Sequence, residues 1–418
     1  MRIGFLSWLF YTLKGGGERF CAAISRAMLQ RGHECVIFHQ GRGAGHPVYP
    51  LPEGVKTYDL ALTDVDSLMR ARQTLRETQI DILCNLYSSE FEGLWALALC
   101  RQSGIPLLMS EHNSPYAIEH YSFNRQERLA CLAAADGVHL LSQNYLSSLP
   151  EFLQKRATVI PNPAPSPKTV NWDKESAPRK RLLTVARLEE FQKQISLLIR
   201  AFAFLAVEFP DWDCCICGGG RFQHDRYVGL IDSLQLKSRV ALVGSVNDVD
   251  SWYASSHIFC LPSAFEGSPI ALLEAQSHGL PSVGFADCTG VNEIIIHGEN
   301  GLLAEEMTVK GLADALRPLM KSSALRRSMG EKALALCARY DEKPIFDQWE
   351  ALLRKVAEVK NRTRLDIHQP LEDKEIECTL RAILARPHPF ARPEGAEPDP
   401  RIRNLAAAFR ARIKRNDD

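Results

Sequence analysis

The chain has 418 residues, enough for two or three domains, and its 45% hydrophobic and 24% charged residues exclude a mostly disordered, collagen-like or small disulfide-stapled protein. Fifty basic side chains balance fifty acidic ones, so the overall positive charge of a nucleic-acid-binding protein is missing and no nucleic-acid partner is expected. No run approaches the ~20 apolar residues that cross a bilayer.

The opening apolar run leads directly into Lys14, Gly15, Gly16, Gly17 and Glu18 and lacks a small-residue cleavage site, so it reads as a first strand over residues 2–8 and not as a signal peptide. Residues 17–31 carry Phe20, Ala23, Ile24, Ala27 and Met28 at helical spacing, and Gly32 stops that helix before a strand at residues 35–38. Helices over 64–78, 90–101 and 124–135 alternate with strands over 80–86, 105–109 and 137–141. Such alternation implies a doubly wound parallel sheet. Four prolines between Ile160 and Pro167 then break the pattern, as neither a helix nor a central strand tolerates them.

The alternation restarts with strands over 181–186, 212–217, 239–243, 257–261 and 280–285, and helices over 194–208, 223–234, 248–255 and 267–278. The expected fold is α/β, with two Rossmann-like doubly wound domains facing a cleft: residues 1–165, then 166–358, whose last helix (343–358) packs back toward the first domain. Residues 359–418 read as a charged tail. Within it, residues 401–415 carry six basic residues and no acid, with Ile402, Leu405, Phe409 and Ile413 on one face. That pattern suits a helix lying on an anionic membrane surface, and equally a loosely packed end. The twelve cysteines sit mostly inside apolar runs and read as reduced, buried thiols of a cytoplasmic chain; the Cys214, Cys215, Cys217 group has poor metal spacing.

The chemistry-bearing residues cluster in the second half. Arg187 ends one strand and Lys193 follows six residues later at the start of the next helix. A bidentate fork and a point charge together suit a diphosphate. Glu266 lies in the loop after residues 257–261, and Glu274 lies on the helix that follows. Backbone N–H groups from Ser263 to Ser268 crowd a helix start, which favours an anion. The glycines at 15–17 open the first helix in a similar way, but they do not form a dinucleotide fingerprint, and His39 and Gln40 stand where its acidic residue belongs.

Taken in order, these residues resemble the GT-B retaining glycosyltransferases of family 4. The matching pieces are Gly15, Gly16, Gly17 and Glu18; Glu111, His112 and Asn113; Ile160, Pro161 and Asn162; Ala186, Arg187 and Leu188 with Lys193; and Cys217, Gly218, Gly219 and Gly220. They continue with Glu266 and Glu274, then Thr289, Gly290 and Glu293, and the run Gly298, Glu299, Asn300, Gly301, Leu302, Leu303. The resemblance spans roughly residues 1–358; between Arg187 and Lys193 the bulky Glu189, Glu190, Phe191, Gln192 departs from the family pattern, which commonly has Lys-Gly.

The resemblance implies a nucleotide-sugar donor, UDP-linked by preference, and a glycan or lipid-linked acceptor of the bacterial surface-glycan type. Arg187 and Lys193 would hold the diphosphate, Glu274 the ribose hydroxyls and Glu266 the sugar hydroxyls. Gly244, Ser245 and Val246 would read the base, while Gly16, Gly17, Gly267, Ser268, Ile270 and the neighbourhood of Pro269, which has no N–H of its own, would approach phosphate and sugar. His112 would donate to a sugar hydroxyl. No cofactor or metal is expected, because cationic side chains stand where an Asp-x-Asp metal motif is missing. The expected place of action is the cytoplasm, at the inner face of a membrane if the tail binds there. A nucleotide-sugar 2-epimerase on the same fold and a non-catalytic GT-B scaffold are the competing readings.

Overall fold

The structure is a computed structural model, and it describes residues 1–385 apart from 12–14, 42–46, 88–89, 101–102, 122–124, 167, 169, 171 and 360–371. Residues 401–415, read above as a basic helix, lie outside the described residues. The chain forms two compact units: residues 1–160 with 346–418, and residues 161–345. The division after Ile160 falls five residues before the boundary expected from the proline run.

The first unit runs β1 (Arg2–Leu6), α1 (Gly16–Gln30), β2 (Glu34–His39), β3 (Lys56–Asp59), α2 (Val65–Glu77), β4 (Ile82–Tyr87), α3 (Glu90–Cys100), β5 (Leu107–Glu111), α4 (Pro115–Tyr121), α5 (Arg125–Ala134), β6 (Gly137–Leu140), α6 (Glu151–Gln154) and β7 (Ala157–Val159). Its seven strands are all parallel, in the order β3-β2-β1-β4-β5-β6-β7. Continuous apolar runs such as Ile3 to Leu6 and Leu107 to Met109 are buried because helices cover both faces of the sheet. Asp64 caps α2 through a reciprocal bond with Ser67, which fixes where that helix begins.

The second unit runs β8 (Lys180–Val185), α7 (Glu190–Lys193), α8 (Ile195–Glu208), β9 (Trp212–Cys217), α9 (Arg221–Ser233), β10 (Val240–Gly244), α10 (Asp250–Ala254), β11 (Ile258–Cys260), α11 (Ile270–Ser277), β12 (Ser282–Phe285), β13 (Gly301–Ala304), α12 (Val309–Lys321) and α13 (Ser323–Cys337). Its six parallel strands follow the order β10-β9-β8-β11-β12-β13. The two Rossmann-like sheets agree with the sequence reading. The strands at 56–59, 157–159 and 301–304 and the helices α12 and α13 were not anticipated.

Two further helices follow among the described residues, α14 (Glu342–Ala357) and α15 (Lys374–Ala385). From Phe346 onward the chain belongs to the first unit, where Trp349 and Val356 are buried and Val356 packs beside Gly137. Within the segment read as a charged tail, α15 is a helix that the sequence reading did not place. Its Ile376, Leu380 and Ile383 are buried in the first unit's core, and the helix packs on α5. Lys374, Glu375, Glu377 and Arg381 had masked this four-residue apolar spacing. Of the twelve cysteines, all free, eleven are buried and Cys378 on α15 is exposed.

Candidate active site

In the second unit the sheet order reverses between β8 and β11, the place where ligands sit at the C-terminal edge of such sheets. The loop after β8 carries Arg187, and the loop after β11 carries Glu266. Backbone bonds from Ala186 N to Cys217 O (3.0 Å) and from Leu188 N to Gly219 O (2.8 Å) lock the Arg187 loop onto the glycine run after β9. Gly218 has φ +155°, and a Cβ there would lie 1.7 Å from the carbonyl oxygen of Ala186. Only a residue without a side chain allows this approach. Arg187 itself is half-buried and forms no ion pair with any described residue.

Glu189 caps α7 by accepting from the N–H groups of Phe191 (2.8 Å) and Gln192 (2.9 Å). Lys193 closes this short helix; it does not open the next, as the sequence had suggested, and Gln194 at φ +45° turns the chain into α8. Lys193 thereby reaches Glu266, with Nζ 2.5 Å from Oε1. Ser263 Oγ donates to the same oxygen at 2.6 Å, and Gln192 Nε2 donates to Oε2 at 3.3 Å. A buried carboxylate needs such compensation, and Glu266 is only 5% exposed.

The loop that follows is held from behind. Asn162 Nδ2 donates to the carbonyl of Ser268 at 2.8 Å, and Gly290, with φ +87°, lets its turn pass close to the carbonyl of Gly267. Gly267, Ser268 and Pro269 are buried, and α11 begins at Ile270, three residues later than expected. One turn along α11, buried Glu274 accepts a hydrogen bond on Oε2 from the Tyr253 hydroxyl at 2.9 Å. Gly244 ends β10 with φ +79° and accepts from Gly218 N at 2.8 Å; Ser245 is exposed beside Gly219, and Val246 packs on the core. Thus Arg187, Lys193, Glu266, Gly267, Ser268, Pro269 and Ile270 lie on the two segments that follow β8 and β11, with Lys193 at the end of α7 and Ile270 at the start of α11. Asn162, Gln192 and Ser263 support them and Tyr253 supports Glu274; the sequence reading had Asn162 only in the hinge match and Ser263 only for its backbone N–H, and gave Gln192 and Tyr253 no role. The bonds of Asn162, Gln192 and Tyr253 join residues far apart in the chain, for which spacing holds no signal; Ser263 bonds Glu266 only three residues on.

In the first unit, Gly16 and Gly17 form the first turn of α1 after Gly15, and Gly16 is exposed. His112 follows β5 directly. The preceding residue, Glu111, is gripped by fully buried Arg128 through two 2.7 Å bonds, and Arg128 also reaches Glu119 at 3.1 Å. His112 Nε2 lies 2.9 Å from Ser110 Oγ, which in turn lies 2.8 Å from His139 Nδ1. Burial holds the His112 imidazole well below its usual pKa, and pushes His139 down to about 3. Phe20 and Trp349 pack near the His112 ring at 4.8 and 6.5 Å between centroids.

Among the described residues no group of three or more His, Cys, Asp or Glu side chains converges as metal ligands, and no helix is long and apolar enough to cross a membrane.

Similarity to known proteins follows the same division. A sequence profile described as "Glycosyltransferase Family 4" matches residues 14–165, and one described as "Glycosyl transferases group 1" matches residues 170–335. The chain is 26% identical to an uncharacterized glycosyltransferase of Haemophilus influenzae, over 81% of this chain and 96% of that one. It is 23% identical, over 85% of this chain and 99% of that one, to a Campylobacter jejuni alpha-1,4-N-acetyl-D-galactosaminyltransferase named for a GalNAc-containing diphosphoundecaprenol glycan. Among solved structures, sucrose-phosphate synthase from Thermosynechococcus elongatus superposes with a TM-score of 0.73 at 18% identity, covering 85% of this chain and 98% of its own. Anabaena HepE, in complex with UDP and glucose, superposes with a TM-score of 0.70 at 20% identity, covering 85% of this chain and 100% of its own. With one profile on each parallel sheet and this architecture throughout, the chain belongs to the group 1 glycosyltransferases and is an enzyme of the GT-B fold.

Proposed function

We propose that the protein transfers a hexose or N-acetylhexosamine from a UDP-sugar, with retention at the anomeric carbon, to a bacterial-type surface glycan or lipid-linked acceptor. The observation that carries the proposal is the joint placement of Arg187, Lys193 and Glu266 around the β8/β11 reversal, with Glu274 on the following helix. Arg187 and Lys193 meet the diphosphate, whose negative charge grows as the glycosidic bond breaks; preorganised cations stabilise that charge without reorganisation cost. Glu274 accepts from the ribose hydroxyls and Glu266 from the sugar hydroxyls. Gly244, Ser245 and Val246 read the base through their backbone, and Ile270 with its preceding loop presents N–H groups to phosphate. In the first unit, Gly16 and Gly17 are kept as residues that approach phosphate and sugar, and His112 as a contact to a sugar hydroxyl. No metal enters this scheme, because the two cations take its electrostatic part.

Support for UDP comes from the HepE complex, and support for a lipid-linked acceptor comes from the C. jejuni relative's name. The reaction is assigned to the cytoplasmic face of a membrane, in keeping with twelve free thiols and a basic C-terminal segment. A thermal-shift series with UDP, GDP, ADP and their sugar conjugates, without metal, tests the donor. A ligand at a hundred times its dissociation constant adds about 2.7 kcal/mol, so UDP and one UDP-sugar should raise the melting temperature. Stabilisation by GDP or ADP alone, or by none, overturns the assignment; sugar interconversion without acceptor would replace transfer by epimerisation.

A further inference from the structure

His139, Ser110 and His112 form a hydrogen-bonded line that ends on a backbone carbonyl, and the proton positions along it follow one from the next. His139 Nε2 lies 2.8 Å from the carbonyl oxygen of Ile160, which can only accept, so Nε2 carries a proton. Burial keeps this ring neutral, with its pKa near 3, and a neutral imidazole has a single N–H. Nδ1 of His139 is therefore an acceptor, and the Ser110 hydroxyl, 2.8 Å away, spends its one proton there. Toward His112 Nε2, at 2.9 Å, Ser110 Oγ can then only accept, so that nitrogen is the N–H of His112. The His112 ring is neutral for the same reason of burial, which leaves Nδ1 with a lone pair. Among the described residues no hydrogen bond occupies Nδ1.

We propose that Ser110 and His139 are positioning residues that hold His112 as its Nε2–H tautomer, so that Nδ1 accepts a hydrogen bond from a hydroxyl of the transferred sugar. The direction is opposite to the one expected from the sequence, in which His112 donates. It rests on the reading of His112 as a donor-sugar contact. The consequence is a specificity rule. At the position facing Nδ1 the sugar needs a group that can donate; fluorine, which fits the space of a hydroxyl but only accepts, is rejected there.

Nitrogen-15 NMR of the full chain, labelled at histidine, reads the tautomer without any turnover, because protonated and bare ring nitrogens resonate far apart. His112 is identified by the signals lost in His112→Gln. The expected result at neutral pH is a protonated Nε2 and a bare Nδ1, shifting toward a mixture in Ser110→Ala and in His139→Phe, whose ring keeps the packing against Trp349. A protonated Nδ1 in the unaltered protein overturns the proposal, and that spectrum decides even where a variant fails to fold. A second arm uses UDP-hexoses fluorinated at one hydroxyl at a time. Fluorine also slows transfer electronically in any variant, so the two enzymes are compared: one fluorinated donor, relative to its parent, should cost the unaltered enzyme about tenfold more than it costs His112→Ala. A bare Nδ1 together with no His112-dependent discrimination overturns the sugar contact while leaving the hydrogen-bonded line in place.

Discussion

Lys193 and Glu266, from the loops after neighbouring strands β8 and β11, meet at 2.5 Å with side chains only 13% and 7% exposed. The pair ties together the segments that follow these two strands. Removing one partner leaves a buried charge uncompensated, which costs about 3–5 kcal/mol. Lys193→Ala should therefore destabilise the protein by about that amount. The double change Lys193→Ala with Glu266→Gln should recover part of the loss, since it removes the buried charge and Ser263 can still donate to the amide oxygen. Urea unfolding of the single and double variants measures the coupling; purely additive effects would show that the pair contributes nothing.

Arg187 presents the reverse case. It has no ion pair among the described residues, so Arg187→Ala should shift stability by no more than about 0.5 kcal/mol. Transfer should nevertheless fall about a hundredfold or more, the usual cost of losing one group that stabilises developing charge. Arg187→Lys should recover only part, because a point charge cannot reproduce the bidentate fork. Steady-state kinetics alongside a melting curve separates the two effects; a loss of stability equal to the loss of rate would assign Arg187 a structural role.

Acid should unfold the protein through its buried histidines. His139 falls from 6.5 to about 3 and His257 from 6.5 to about 4, both chiefly through burial. Between those values and 6.5 the unfolded chain binds protons that the folded chain refuses, so stability rises with pH and is lost as pH falls below 6.5. Each such group contributes about 1.4 kcal/mol per pH unit over its window. His139→Phe should flatten the slope by that amount between pH 6 and 4. Urea midpoints across this range give the slope, and an unchanged slope would mean that His139 is protonated in the folded state.

Gly218→Ala tests how Arg187 is placed. The added methyl would sit 1.7 Å from the Ala186 carbonyl oxygen, at a positive φ that side chains rarely adopt. The Arg187 loop must move, and transfer should drop at least as far as in Arg187→Ala, with a stability loss of about 1–3 kcal/mol from strain and overpacking. Gly229→Ala, inside α9 with no atom within 4 Å of the added methyl, is the control: it should leave transfer unchanged and raise stability by about 0.5–1 kcal/mol.

The helix at residues 374–385 should matter to the first unit. Ile376 and Leu380 are each 1% exposed, and truncating either to Ala should cost about 2–5 kcal/mol. Calorimetry of Leu380→Ala checks this; an unchanged melting curve would detach α15 from the core.

What could be read in the sequence were the parts that depend on period and order. Alternating strands and helices gave both sheets; Arg187 and Lys193 stood out because a fork and a point charge suit a diphosphate, whereas the roles of Glu266 and Glu274 came only from the family resemblance. Three short strands, β3, β7 and β13, escaped because they are only partly buried, unlike the equally short but fully buried β6, β11 and β12. The apolar stripe of α15 was hidden by charged neighbours, and the end of α7 at Lys193 depends on the left-handed Gln194, which no composition rule marks. The Ser110–His139 line was out of reach altogether, since it joins strands β5 and β6 through side chains that, taken singly, are ordinary core residues.

The distribution of thiols makes the chain its own record of opening. Cys21, Cys35, Cys84, Cys100 and Cys131 are buried in the first unit, and Cys214, Cys215, Cys217, Cys260, Cys288 and Cys337 in the second. Cys378 alone is exposed, so a maleimide applied to the folded protein should add a single mass increment. Under rising urea, intact-mass spectra would then gain five increments if the first unit opens alone and six if the second does, which turns an alkylating reagent into a counter of which unit gives way first.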